Sequence, residues 1–282
     1  MRGMPPDRFY SDRSARAKLR FTGPQRAWFL HQVLTHSFED IAPGQAREAA
    51  MLTPHGRMMG YLETVATEDS VLAHFEPELR TDLKEALARY VFATRVEISD
   101  VTEAMGLVLV AGEGWQETAR SLSAVSHPTR SLGIPAVYLW VERDDVARLL
   151  ERLEDAGFRN AAEEDLEAIR IANGIPRWGR EMTPKTLPQE AGIDEFAVHY
   201  DKGCYLGQEA MAKIHFRGRV NRRLRRLRAG GSLRPGDEVT SDGRPVGSVT
   251  SVSNTSALAI LRREVERDAV VHAGAVEATV VD

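Results

Sequence analysis

The sequence contains a single cysteine in 282 residues, and this scarcity excludes an internal disulfide framework. Aromatic residues make up only 7% of the chain. No run of apolar residues approaches the ~18 that a membrane-spanning helix requires. The segment before Tyr10 is polar and lacks the apolar stretch of a secretory leader. Together these absences predict a cytoplasmic protein with no membrane association, working in a reducing compartment.

A large excess of one charge sign is also missing. The net charge of −4 argues against a protein that coats nucleic acid. Hydrophobic residues at 43% and charged residues at 28% are ordinary for a globular chain. Because 282 residues exceed what one hydrophobic core usually serves, the length predicts two or three packed lobes.

Hydrophobic periodicity predicts mixed α and β structure in the first half of the chain. Apolar residues recur at helical spacing over 77–92, and Pro24 opens a helix over 24–34 whose buried face includes Trp28. The other predicted elements are strands over 18–22, 48–52, 58–65, 95–98, 107–111 and 136–141, and helices over 115–122, 144–156 and 162–172. This order indicates an α+β lobe with largely antiparallel sheets.

The second half of the chain changes character twice. Residues 173–200 are rich in proline and glycine and predict a long ordered loop, a kind of segment that is often functional. From Arg225 to Asp282 only short strands and turns recur, which predicts a small all-β barrel. The predicted division is therefore 1–224, as two intertwined α+β lobes, and 225–282, as the barrel.

The one cysteine lies in the stretch Lys-Gly-Cys-Tyr-Leu-Gly-Gln-Glu at 202–209. A structural cysteine usually sits in an apolar run, but polar and turn-forming residues surround Cys204. The glycines at 203 and 207 permit backbone angles closed to other residues. A thiol beside Lys202 and just before a helix ionises more easily, so Cys204 is a candidate functional sulfur.

The other members of this stretch have plainer alternatives. Lys202 either tunes the thiol or is a solvated loop charge. Gln208 and Glu209 either contribute to the motif's chemistry or cap the start of a helix, where negative charge favours the helix dipole. Tyr205 suits packing better than chemistry.

The octapeptide at 202–209 matches the signature of the YgfZ-type folate-binding proteins. These proteins resemble the glycine cleavage T-protein (aminomethyltransferase), and they have a mitochondrial counterpart in iron–sulfur cluster assembly. The resemblance covers nearly the whole chain, including a hairpin at 52–60 and the turn at 173–176. It implies an α+β, three-lobed T-protein-like fold with a central hole that receives tetrahydrofolate, plus a small C-terminal β-barrel.

The resemblance also implies a function, and two departures bear on it. Gly60 and Tyr61 stand where the T-protein has an aspartate pair. Residues 136–138 include no acidic residue, whereas the T-protein has a glutamate in this region that binds the pterin. The implied function is therefore a folate-binding accessory protein that supports iron–sulfur protein assembly or repair through Cys204, rather than a conventional aminomethyltransferase. A one-carbon transferase stays open as the alternative, which an acid group reaching the hole from elsewhere would revive.

Iron–sulfur chemistry at Cys204 would have to be shared. A cluster usually takes four protein ligands, and the chain supplies one thiolate. We therefore expect any cluster to be transient, completed by a partner protein, a small thiol, a histidine or a carboxylate. A redox role for the thiol is equally open.

Five residues are candidate cofactor contacts. The resemblance places Arg170 where the T-protein contacts folate, and it places His55 at a turn facing the central hole. Trp178 offers a stacking face beside Glu181 in a loop that suits an anionic ligand, although a surface loop pinned by one aromatic residue fits equally. Tyr205 completes the set.

A basic run between His215 and Arg228 holds seven arginines. Nucleic-acid binding is not expected, because Phe216 is the only stacking aromatic residue in the run. The alternatives are a strand that enters the barrel, and a site for the polyglutamate tail of a cellular folate.

Overall fold

A computed structural model describes residues 7–281 and every side chain among them except that of Arg217. The prediction made for Arg217 therefore lies outside the described residues. The first elements in chain order are β1 (Phe9–Asp12), β2 (Ala17–Thr22), α1 (Arg26–Val33), β3 (Ala46–Leu52), β4 (Met58–Ala66), β5 (Ser70–Phe75), α2 (Arg80–Ala88) and β6 (Glu97–Asp100).

The chain continues through β7 (Met105–Ala111), α3 (Gln116–Ser121), β8 (Val125–Thr129), β9 (Ala136–Glu142), α4 (Val146–Asp155), β10 (Arg159–Asn160), α5 (Glu163–Ala172), α6 (Pro188–Ala191), α7 (Asp194–Ala197) and α8 (Gln208–Arg217). The last six strands are β11 (Arg222–Ala229), β12 (Glu238–Ser241), β13 (Arg244–Ser253), β14 (Ser256–Arg262), β15 (Val270–Ala273) and β16 (Val276–Val280).

Two five-stranded sheets form the body of the protein. Sheet I has the order β3-β4-β5-β2-β6, and sheet II has the order β10-β1-β7-β9-β8. All their strand pairs are antiparallel except β1 with β10. Since β1 joins sheet II and β2 joins sheet I, the chain passes between the sheets within its first elements, and the two lobes are interleaved.

Strand β7 shows why the two sheets pack as they do. Its residues are apolar without alternation, which is typical of a strand buried on both faces. Leu107 and Leu109 pack toward sheet I and α5, whereas Val108 and Val110 pack against α4. Sheet II is therefore a central layer, and its face toward sheet I borders the cavity described below.

The C-terminal strands close into a six-stranded barrel in the order β11-β14-β13-β12-β15-β16. Its core consists of small and branched apolar side chains such as Leu227, Val239 and Leu261. The predicted α+β fold with a C-terminal β-barrel is confirmed. Within 7–281, no helix combines the length and apolar character needed to cross a membrane.

Several local predictions were wrong or incomplete. Trp28 was predicted to be buried but is 52% exposed, because α1 turns Phe29, Leu30 and Val33 toward the core. Helix α2 ends at Ala88, well before the predicted end at 92. Strands β1, β5 and β8 were not predicted at all. The long loop over 173–200 contains two single-turn helices, α6 and α7.

Candidate functional site

A cavity of about 490 Å³ lies where sheet I, sheet II, α5 and the first barrel strand meet. This volume falls in the range of small-molecule sites. Strands β3 and β4 contribute Glu48, Tyr61 and Glu63 to its wall, and sheet II contributes Leu109 and Tyr138. The cavity is thus assembled from elements that are distant in sequence.

Two buried carboxylates face each other across β3 and β4. Glu48 and Glu63 are directly paired in the strand register. Glu48 accepts hydrogen bonds from the Tyr61 hydroxyl and, at 3.1 Å, from Arg130 Nη1. Glu63 accepts one from Thr129 Oγ1 at 2.5 Å. Burial, followed by the charge of Glu48, raises the pKa of Glu63 to about 8, so it holds a proton at neutral pH.

Sequence reasoning missed this carboxylate pair. The resemblance points to acids near Gly60 and near 136–138, whereas Glu63 reaches the wall from β4 and accepts a hydrogen bond from Thr129 of the opposite sheet. A usable signal was present, because a glutamate within the otherwise buried strand 58–66 needs a polar partner or a ligand.

Ion pairs between arginines and glutamates form the rest of the polar wall. Arg16 Nη1 lies 2.5 Å from Glu76 Oε1, and Arg177 Nη1 lies 2.8 Å from Glu163 and 3.0 Å from Glu167. In all, six arginines line the cavity against five glutamates: Arg13, Arg16, Arg130, Arg170, Arg177 and Arg226, with Glu48, Glu63, Glu76, Glu163 and Glu167. Protonation of Glu63 leaves this wall net positive, which favours a ligand with an anionic part.

Apolar and aromatic side chains supply the remaining wall. Trp178 is 6% exposed and lines the cavity together with Phe196 and Tyr138. Trp178 also belongs to the core beneath sheet I. The structure thus brings Trp178 to the cavity, and the prediction that it contacts a cofactor stays a prediction.

Arg170 lines the same cavity, but the protein itself uses its donors. Nε and Nη2 donate to Glu167 at 2.7 Å, Nη1 donates to the Ile175 carbonyl at 2.7 Å and to Glu181 at 3.0 Å, and Nη2 also donates to Ser251 Oγ at 2.8 Å. These bonds account for all five N–H groups of a guanidinium. The predicted folate contact of Arg170 stays a prediction, and it would require one of these bonds to be exchanged.

Glu181 is the buried partner of Arg170 and joins it to the barrel. It is 1% exposed and accepts hydrogen bonds from Thr250 Oγ1 at 2.7 Å and Ser251 Oγ at 2.6 Å. It also accepts one from the Arg177 backbone N–H at 3.0 Å. The pair therefore ties α5 and the following loop to β13, whatever further role Glu181 has toward a ligand.

We expect Arg170→Met to lower the free energy of unfolding by about 3 kcal/mol, because it leaves the Glu181 charge buried without its cation. Urea unfolding followed by tryptophan fluorescence measures this. The double variant Arg170→Met/Glu181→Gln should recover part of the loss, since the unpaired charge is then gone. Equal stability of Arg170→Met and the wild type would contradict the structural role.

One group of buried side chains has the residue types of a metal site. Glu63, His74 and His127 bring ligand atoms within 4.8 Å of one another. However, Arg16 Nε donates to His74 Nδ1 at 2.9 Å, so neutral His74 carries its proton on Nε2 and has no lone pair there. Burial lowers the pKa of His74 well below its usual range and that of His127 to about 4. The buried guanidinium of Arg16 and the proton on His74 Nε2 both oppose metal coordination at this group.

The signature loop lies on the outside of sheet I's lobe, and Cys204 is exposed. Lys202, in contrast, is 8% exposed, and its ammonium donates to the carbonyls of His31, Leu34 (2.6 Å) and His36 (2.9 Å). The predicted alternative of a solvated loop charge is wrong. Burial lowers the pKa of Lys202 to about 7, but only the charged form has three N–H donors for three carbonyls, which opposes loss of the proton.

The glycines and polar residues of the motif shape the loop. Gly207 has φ +82°, and a β-carbon there would lie 2.6 Å from the Thr53 carbonyl oxygen. Gln208 Nε2 donates to the Lys202 carbonyl at 3.2 Å, and Glu209 lies in the first turn of α8. Gly203 is exposed beside Cys204. The loop is therefore held at both ends, with the thiol displayed between them.

The remaining candidates lie away from the cavity. Tyr205 is 7% exposed and packs in the core, 4.8 Å from the Lys202 ammonium; burial raises its pKa to about 12. His55 is exposed at the hairpin turn, where a β-carbon at Gly56 would meet Ala210 Cβ of α8 at 3.1 Å. As far as the described residues go, the cavity wall includes neither His55 nor Cys204. The thiol and the cavity are thus two separate places on the protein.

Comparison with known proteins adds to this picture. Residues 221–282 match the family described as the CAF17 C-terminal β-barrel domain. The chain is 27% identical to a putative chloroplastic transferase of Arabidopsis thaliana over 85% of its own length. It is 24% identical to a mitochondrial protein of Phaeosphaeria nodorum, named as a homologue of the iron–sulfur cluster assembly factor IBA57, over 88% of its length. It spans 60% and 69% of these two relatives.

The fold has a close structural counterpart. The aminomethyltransferase T of the glycine cleavage system from Bartonella henselae superposes with a TM-score of 0.88. The match covers 99% of this chain and 86% of that one at 15% sequence identity. The T-protein-like fold is therefore established for this chain.

Proposed function

We propose that this chain, which has a T-protein-like fold and a C-terminal segment that matches the CAF17 β-barrel domain, binds a reduced folate in its central cavity and supports iron–sulfur protein assembly or repair through Cys204. The observation that carries this proposal is the pairing of a carboxylate-bearing cavity with an exposed thiol outside it. We place the protein in the cytoplasm, with iron–sulfur clients or assembly proteins as its partners.

The residues of the cavity fit a reduced folate. A pterin presents a flat ring and an edge of N–H donors, and a buried carboxylate is the natural acceptor for such an edge. Glu63 and Glu48 supply that acceptor, and Trp178 and Phe196 supply flat walls. The net positive charge of the polar wall suits the glutamate carboxylates of a folate. The protein's own contribution is to orient the ring and to exclude water from the donor edge.

Cys204 fits the handling of a cluster as cargo. The exposed loop places one thiolate within reach of another protein, and a cluster needs further ligands that such a partner would supply. Lys202 and Gln208 hold the loop on either side, so the thiol is presented without a large ordering cost on binding.

A second candidate function is supported by a specific observation. The paired carboxylates Glu48 and Glu63 are acid groups that reach the cavity from β3 and β4, which is the condition that would revive a folate-dependent one-carbon transferase. Glu63, protonated near neutral pH, could act as a general acid and Glu48 as a base. We rank this function second, because it assigns no role to Cys204.

Calorimetric titration with tetrahydrofolate, run on the wild type and on Cys204→Ala, tests the first proposal. We expect the two proteins to bind with equal affinity, since the cavity wall and the thiol are separate. In an iron–sulfur reconstitution assay with a client enzyme, Cys204→Ala should lose its effect.

The outcomes separate the alternatives. Absence of folate binding in both proteins would overturn the folate proposal. A loss of folate affinity in Cys204→Ala alone would place the thiol in the cavity, against the structure. Full client maturation by Cys204→Ala, together with aminomethyl transfer activity that Glu63→Gln abolishes, would favour the transferase.

A further inference from the structure

Two depressions continue outward from the central cavity along the first barrel strand. Gly192 and Leu224 line both the cavity and the first depression, whose volume is about 300 Å³. Arg219 and Arg223 line both this depression and the next, of about 660 Å³. The three spaces share lining residues in succession, so they lie side by side from the cavity to the end of the barrel; we call this series the path.

Arginines surround the outer end of this path. On β11, Arg223 and Arg225 continue at two-residue spacing the row of Leu227 and Ala229, which belong to the barrel core. They therefore stand at the open end of the barrel. Three more arginines complete the group, which we call the barrel mouth: Arg219 before β11, and Arg263 and Arg267 after β14.

Most acids along the path have partners of their own. Glu190 pairs with Arg57 at 3.3 Å, and Glu264 pairs with Arg262 at 3.6 Å. Asp194 accepts from the Tyr200 hydroxyl at 3.4 Å, and burial raises its pKa. Only Glu195 and Glu266 among the acids that line the two depressions have no such partner in the described structure.

Three of the five arginines of the mouth are less well compensated, whereas Arg267 pairs with Asp268 at 3.9 Å and Arg225 has an interaction of its own. Within the described residues, the side chains of Arg219, Arg223 and Arg263 make no hydrogen bond or ion pair, and all three are exposed. Gathering guanidinium groups around one depression raises the local positive potential, which attracts an anion with several charges. Their spread along the path fits an extended anion rather than a compact one.

We propose that the barrel mouth binds an oligo-γ-glutamyl tail attached to the ligand of the central cavity. The proposal rests on the proposed folate binding and adds the form of folate that is preferred. A tail leaving the cavity passes Leu224, then meets Arg219 and Arg223, and ends near Arg263. Each glutamyl unit carries one carboxylate, the group that arginine pairs with best. Single-stranded nucleic acid fits less well, because none of the described residues that line the mouth is aromatic.

The test compares two forms of one stable reduced folate, 5-formyltetrahydrofolate monoglutamate and pentaglutamate, by calorimetry on the full chain. We expect the pentaglutamate to bind about tenfold more tightly at low salt. This advantage should shrink as salt is raised. In Arg223→Ala/Arg263→Ala the advantage should vanish while monoglutamate affinity stays the same. The control Arg228→Ala/Arg244→Ala removes the same charge from the barrel outside the mouth and should keep the advantage.

Three results would overturn the assignment, each in a distinct way. Equal affinity for the two forms overturns the tail site and leaves folate binding standing. Binding of neither form overturns folate binding and the tail site together. If decauridylate binds the wild type and the control but not the mouth variant, and does so more tightly than the pentaglutamate, the mouth is a nucleic-acid surface instead.

Discussion

Glu63→Gln should weaken reduced-folate binding by about 10- to 100-fold while making the protein more stable at neutral pH. The loss of affinity follows from replacing a charge-assisted acceptor of the donor edge by an amide. The gain in stability follows from burial, which disfavours a carboxylate at this position. Opposite changes in affinity and stability are typical of a residue held for function rather than for packing.

The expected gain in stability depends on pH, and the raised pKa of Glu63 determines its direction. Burial raises the pKa of Glu63 from 4.5 to about 8, so between these values the folded protein holds a proton that the unfolded chain has lost. The stability of the wild type therefore falls as the pH rises through this window. Glutamine does not titrate, so the variant should exceed the wild type above about pH 5 and lead by about 3 kcal/mol at pH 8.

Urea unfolding at pH 5 and pH 8 measures the difference. Glu48→Gln is the matched control, because it removes a cavity carboxylate but leaves Glu63 to titrate. Its pH slope should persist over a narrower range, since burial still raises the pKa of Glu63 but the charge of Glu48 no longer does. Folate binding by the wild type should also release protons near pH 7, which calorimetry in buffers of different ionisation enthalpy detects. Identical pH slopes for the wild type and Glu63→Gln would show that Glu63 is ionised in the folded protein.

Lys202→Met should lower the free energy of unfolding by about 3 kcal/mol, because three buried carbonyls lose their common donor. Two of these carbonyls, those of His31 and Leu34, are at the C-terminal end of α1, where backbone acceptors have no helical partner. Lys202 thus fastens the signature loop to the end of α1. Lys185→Met, at an exposed lysine of another loop, is the control and should be nearly neutral.

A second measurement distinguishes this positioning role from tuning of the thiol. All three N–H donors of Lys202 are directed to carbonyls, so none is available to Cys204. The rate of Cys204 alkylation by iodoacetamide should therefore be the same in folded Lys202→Met as in the wild type. A clearly slower reaction in the variant would show that the ammonium activates the thiol.

Local sequence signals predicted the barrel and the signature loop, because both depend on neighbouring residues. The turn at 241–244 and the alternation toward Val280 define barrel strands without reference to the rest of the chain. Gly207 marked a tight approach, and the structure places it at φ +82°. Helix α4 followed from its apolar spacing in the same way.

Long-range pairing could not be predicted from a single sequence. The carboxylate pair exists only because β3 and β4 adopt the register that sets Glu48 opposite Glu63. Arg170 gained its partners from a loop and from a barrel strand, and Lys202 gained its own from α1. Strand β5 was not predicted, because all six of its residues are buried and its sequence lacks the polar–apolar alternation of a half-exposed strand.

The close approach of the hairpin turn to α8 limits how descendants of this protein can diverge. A β-carbon at Gly56 would lie 3.1 Å from Ala210 Cβ, and one at Gly207 would lie 2.6 Å from the Thr53 carbonyl oxygen, so position 207 has no room for an added methyl group. A bulkier residue at 210 would displace the hairpin and, with it, the signature loop. These positions should therefore change together or not at all, although position 56 lies far from the other two along the chain.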